Sequence, residues 1–252
     1  MKRKYYSLLL VIVFTTLLSS IPNLSAQTDQ KFVVEPGQIP IRIIPFNDQY
    51  TFSNFRQGTI SFHNGQVVGA LLNYNRLFGE IQFINSKGDT LSFAQEKLIQ
   101  QINIDDELFY YDPENGYVNV AIMYLFVKLA EKQLFTLEGS KGNNGRFSGY
   151  FGPTIYGNRG HSLETSEDGT IEANKLFRQE TKYTLTFRKR IYYYFVDQNN
   201  RIHKASVYAV RKIFSRYRKE INQYLIGNPI NFKDPHDLHK LLTFCTQLSD
   251  QK

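Results

Sequence analysis

Four groups of residues have types and spacings that could do chemistry. In DPHDLH, His236 and His239 stand three apart beside Asp234 and Asp237, which puts two imidazoles on neighbouring turns of a helix. A structural zinc site takes four ligands, often from paired cysteines, and Cys245 is the only cysteine. The histidines therefore read as solvated first-turn residues, and no metal site is expected. In NIDDELF, Asp105, Asp106 and Glu107 suggest acid–base work or calcium. Adjacent strand residues point to opposite faces, so these carboxylates cannot converge on one substrate and read as a polar turn.

The third group is a Gly-rich stretch, Gly139 to Gly160, which holds seven of the chain's 16 glycines. Its spacing matches neither GxxxxGK(S/T) nor GxGxxG, so it reads as an exposed loop and not as a phosphate cradle. No GxSxG elbow, HExxH motif or exposed, electropositive cysteine is present. No catalytic residue and no cofactor is nominated. An envelope enzyme of unassigned reaction, with His161 beside the Gly-rich loop as its one pointer, is the third functional reading.

The fourth group is electrostatic. The formal charge of +7 includes Lys2, Arg3 and Lys4, leaving +4 for the remainder. From Gln27 to Ser140 the net charge is −5, whereas Lys175 to Lys219 carries 13 basic and two acidic residues, a net of +11. Arg188, Lys189, Arg190, Arg211, Lys212, Arg218 and Lys219 are the candidate binding residues of that basic surface. Tyr192, Tyr193 and Tyr194 interleave with them, a pattern that also occurs in single-strand binders.

What positions these groups begins with the N-terminus. A basic head, an apolar run from Leu8 to Leu18 and small residues ending at Ser25-Ala26 form a secretory signal over residues 1–26. The apolar run is short for a membrane helix, which takes about 20 residues. An exported protein rarely meets nucleic acid, so anionic headgroups, lipopolysaccharide or an acidic partner protein suit the basic region better. With one cysteine no intramolecular disulfide can form, and packing must hold the fold.

An extended lead is expected over 27–48 and an antiparallel meander over 49–138. Asn64-Gly65 and the Asn85-to-Gly88 stretch supply its turns. MYLFVKLAEKQLFTLEG fits either a hairpin turning at Ala130 to Gln133 or a helix, and the strands before it and Gly139 after it favour the hairpin. The Gly-rich region occupies 139–180, followed over 181–252 by a basic hairpin, interrupted at Arg188-Lys189-Arg190, and C-terminal helices. Ser206 caps the first helix, whose stripe is Val210, Phe214, Tyr217, Ile221 and Tyr224, with Ser215 a break point. Asp234 caps the last, with Pro235 at its first position. Its stripe of Leu238, Leu241, Leu242, Cys245 and Leu248 buries the thiol. The fold class is mainly β (α+β): a meander curled into a sandwich or partial barrel, with two or three C-terminal helices. Phe83 and Leu91 are candidate core residues.

The stretches FRQGTISFHNGQ and LNYNRLFGEIQFINSKGDTL, followed by YYYFVDQNNRIHKASVYAVRKIF and EINQYLIGNPINFKDPHDLHKLL, resemble uncharacterised exported proteins of the Bacteroidota. The resemblance covers Tyr50 to Leu248. It implies a cell-envelope location in a Gram-negative bacterium, in the periplasm or on the periplasmic face of the outer membrane. It brings no catalytic residues. The leading expectation is thus a non-enzymatic envelope protein that docks on an anionic membrane surface or an outer-membrane complex. The second is a carrier of a lipophilic small molecule inside the curled sheet.

Overall fold

The computed structural model describes residues 30–35, 40–141, 145–150 and 183–250. The expected signal over 1–26 lies outside them. So does most of the Gly-rich region, residues 142–144 and 151–182, including His161.

Among the described residues, twelve strands form one sheet. Its path runs β1 (Gln30–Val34), β11 (Tyr183–Asp197), β9 (Val127–Lys141), β8 (Gly116–Met123), β7 (Glu107–Asp112), β6 (Ile99–Ile104), β2 (Arg56–Phe62), β3 (Val67–Asn75), β4 (Glu80–Ile84) and β5 (Thr90–Ser92). β10 (Gly145–Tyr150) pairs with β9, and β12 (Ile202–Lys204) pairs with β11. Every strand pair is antiparallel. The Gly-rich region thus contributes regular structure where it is described, since Gly139 pairs with Phe147. Within the lead, β1 joins the sheet at β11, and α1 (Pro40–Ile43) and α2 (Phe46–Gln49) follow as single turns.

Two turns behave as their glycines dictate. Gly65 and Gly88 sit at φ of 85° and 87°, where a Cβ is strained. The Asn85 carboxamide oxygen accepts from the N–H groups of Lys87 and Asp89, fixing the second turn.

Three expectations about local structure are corrected. The chain turns at Tyr124 to Phe126, with Tyr124 N donating to Val127 O at 2.9 Å, and not at Ala130 to Gln133. Leu129 and Ala130 bury on opposite faces, and β9 pairs with β11 along its whole length, so a turn there would forfeit both. For the same reason Arg188-Lys189-Arg190 does not interrupt β11. Leu91 is 43% exposed, because edge strand β5 is paired on one side only; Phe83 is half-buried and stacks on Phe93.

Strand alternation sorts the core. On one face Ile60, Leu72, Tyr74, Ile81, Ile102, Phe109 and Tyr117 form a cluster within β2 to β8. Further along that face Val127, Leu129, Tyr193 and Phe195 carry α3 (Val207–Ile213), α4 (Arg218–Gly227) and α5 (Pro235–Asp250). The opposite face packs Tyr110, Val118, Ala130, Tyr194 and Val196. Leu238, Leu241, Leu242 and Cys245 are all fully buried against the sheet, as the leucine stripe requires. The β3–β4 turn reaches β9: Phe135 N donates to Arg76 O, and Tyr74 Oη to Gln133 O, each at 3.1 Å.

Candidate functional site

The basic residues of the helical layer are positioned by a helix that starts, breaks and restarts. Ser206 caps α3, its hydroxyl accepting from Ala209 N at 3.2 Å. The helix ends at Phe214, whose φ and ψ of −102° and 45° leave the helical region. A 3-10 turn over Ser215–Tyr217 follows before α4 resumes at Arg218. The break has a measurable consequence. Arg211 and Asn222 are eleven residues apart, about 16 Å along an unbroken helix, yet Arg211 Nε donates to Asn222 Oδ1 at 2.7 Å.

Folding α4 against α3 creates a surface groove of about 600 Å³ lined by Val207, Tyr208, Arg211, Lys212, Arg218 and Asn222. Tyr208 is 74% exposed at its rim. Three of the seven nominated residues, Arg211, Lys212 and Arg218, therefore meet at one place. Lys219 is exposed on the same helix as Arg218 but does not line the groove.

The other three lie elsewhere. The helices pack on the face of Tyr193 and Phe195, so alternation puts Arg188 and Arg190 on the opposite face. Lys189 is half-buried, and desolvation, followed by the nearby Arg76 cation, lowers its pKa. The run RKR is contiguous in sequence and divided in space.

A second cleft, about 610 Å³, lies on the other side of Lys212 between the β11–β12 turn and the α3–α4 break. Arg201, His203, Lys212 and Arg216 line it together with Asp197 and Phe126. Asp197 faces inward. Its Oδ1 accepts from the N–H groups of Asn199 and Arg201, both at 2.9 Å, and Oδ2 lies 3.2 Å from His203 Nε2. Burial alone would raise its pKa, but the Arg201 N–H, His203 and the Asn199 N–H outweigh it and hold the carboxyl below its ordinary value. Sequence reasoning counted Arg201 and Arg216 only within the basic run. Nothing in their spacing says that a turn and a helix break meet.

The other candidate groups take structural positions. His239 Nδ1 lies 2.7 Å from Tyr124 Oη, and Asp234 Oδ1 accepts from His236 N. Among the described residues no three His, Cys, Asp or Glu side chains gather as a metal site. Asp105 sits at φ 49° in the β6–β7 turn and pairs with Arg56 at 2.6 Å, while Glu107 takes the Asn119 amide.

A polar network that sequence reasoning missed joins β3, β4 and β5. Glu80 Oε1 accepts from Ser92 Oγ at 2.6 Å and Gln82 Nε2 at 2.8 Å, and Tyr50 Oη donates to Gln82 Oε1 at 2.6 Å. Glu96 faces the phenols of Tyr117 and Tyr111, although the buried Tyr117 hydroxyl makes no well-formed hydrogen bond. Burial raises the pKa of both glutamates. The recess beside Tyr74, Phe109, Asn119 and Glu131 is about 20 Å³, room for a water molecule and not for a lipophilic ligand.

No helix among the described residues is long and apolar enough to cross a membrane. No family model, curated protein or solved structure matches the chain.

Proposed function

We propose that this protein is a non-enzymatic component of the cell envelope whose helical layer docks on an anionic membrane surface, the sheet serving as its curled, rigid support. The observation that carries this reading is the meeting of Arg211, Lys212 and Arg218 in one groove beside the largely exposed ring of Tyr208. An aromatic flanked by cations suits a membrane interface: the ring enters the headgroup region and each nearby Lys or Arg adds about 1 kcal/mol of attraction to acidic lipid. Ile226, 86% exposed at the end of α4, adds an apolar side chain to the same layer. The signal-like N-terminus and the resemblance to exported proteins support an envelope location.

Co-sedimentation with phosphatidylcholine vesicles, with and without phosphatidylglycerol, tests this reading. Binding should require the acidic lipid and weaken as salt shortens the Debye length from about 10 Å at 0.1 M to about 3 Å at 1 M. Equal binding to both vesicles, or to neither, would contradict it.

A further inference from the structure

The cleft on the other side of Lys212 holds more positive charge than its surroundings use. Arg201, Lys212 and Arg216 line it, all three are exposed, and none forms an ion pair with a carboxylate among the described residues. The one acid in the lining, Asp197, is already engaged by two backbone N–H groups and by His203. Two guanidinium forks and an ammonium facing one space are the donor set for a tetrahedral oxyanion, since Arg forms parallel hydrogen bonds to two oxygens of one phosphate. At about 610 Å³ the cleft falls within the range of small-ligand sites and exceeds what a bare phosphate fills.

We propose that this cleft binds a phosphomonoester headgroup, held by Arg201, Lys212 and Arg216. The inference rests on the docking reading for the source of the phosphate, a membrane lipid and not a free ion. Lys212 lies between groove and cleft and serves both, so a lipid headgroup seated in the cleft would bring the Tyr208 side of the layer onto the bilayer. Ser215 and Phe126 are also in the lining, the first a hydroxyl for a glycerol oxygen and the second an apolar wall for the ester-linked carbons.

Titration of the purified protein with soluble short-chain phosphatidic acid and, separately, with inorganic phosphate tests the proposal, followed by amide resonances. The lipid analogue should shift Arg201, Lys212 and Ser215 saturably and leave Lys87, in a distant turn, unmoved. The double variant Arg201→Ala/Arg216→Ala should weaken binding by roughly tenfold or more, because each charged hydrogen bond counts for more than a neutral one. Its dispersed spectrum would confirm that it folds. Absence of saturable shifts with either probe, or undiminished affinity in the double variant, would overturn the site. Inorganic phosphate binding as tightly as the lipid analogue would overturn the lipid source. If Arg211→Glu/Arg218→Glu abolishes vesicle binding while the parent cleft binds no lipid analogue, the cleft is wrong and the docking reading survives. The reverse pattern defeats docking and leaves the cleft.

Discussion

Arg211 Nε donates to Asn222 Oδ1 at 2.7 Å across the break between α3 and α4. That bond uses one donor of the guanidinium and leaves the terminal nitrogens free to face the groove. Asn222→Ala should therefore change stability by only about 0.5–1.5 kcal/mol, yet loosen the groove and weaken anionic-vesicle binding several-fold. Urea unfolding and vesicle partition on the same sample check both halves. Unchanged partition would mean that Arg211 does not need its anchor.

Asn73 is fully buried and ties the segment before β2 to β3. Phe52 N donates to its Oδ1 at 3.1 Å, and its Nδ2 donates to Phe52 O at 2.9 Å and Asn54 O at 3.1 Å. Asn73→Ala strands several backbone groups, each costing about 1–3 kcal/mol when left unsatisfied. A loss of at least about 2 kcal/mol in urea unfolding is expected. A loss below about 0.5 kcal/mol, the usual range for surface changes, would show that water replaces the carboxamide.

Glu80 and Glu96 give the fold an unusual pH response. Desolvation raises both pKa values above the ordinary 4.5, so between that value and the folded-state value the native chain holds protons that the unfolded chain has lost. Unfolding then releases protons, and the contribution of these groups to stability falls as pH rises through the window. Asp197 acts oppositely: its depressed pKa supplies stability above 3.8 that is lost in stronger acid. Glu80→Gln should flatten the decline of stability above about pH 4.5 seen by urea unfolding. A parent protein whose stability rises across that window would contradict the assignment.

Cys245 is fully buried on the α5 stripe, and burial pushes its thiol up to about 12. A neutral, enclosed thiol is a poor nucleophile. A thiol reagent should label it only as fast as the protein unfolds, with the labelling rate following urea concentration as the unfolding rate does. Rapid labelling of the native protein would mean that α5 leaves the sheet readily.

Much of the local structure was legible because single residues dictate it. Gly65 and Gly88 mark turns by their positive φ, and Ser206, Asp234 and Pro235 mark helix starts. The β8–β9 turn was not legible, since Tyr124-Leu125-Phe126 contains no turn-forming residue and the polar AEKQ stretch imitates one. Arg188-Lys189-Arg190 looked like an interruption because charge marks solvent, although a strand between two partners can still send alternate side chains outward. The neighbours β2–β6 and β9–β11 are set by distant pairing, which local pattern does not encode. The same holds for the site: Arg211, Lys212 and Arg218 are near in sequence but sit on α3 and α4 and meet through the break at Phe214, whereas Arg201 and Arg216 meet only where the β11–β12 turn comes against that break.

The central claim is that the groove cations bring the protein to an acidic surface. Reversing Arg211, Lys212, Arg218 and Lys219 together to Glu should abolish sedimentation with phosphatidylglycerol vesicles while the protein stays folded in urea unfolding: the three exposed positions usually cost no more than about 0.5 kcal/mol each, and half-buried Arg211 adds about 0.5–1.5 kcal/mol for its bond to Asn222. A folded four-site variant that sediments with acidic vesicles as the parent does would contradict the account.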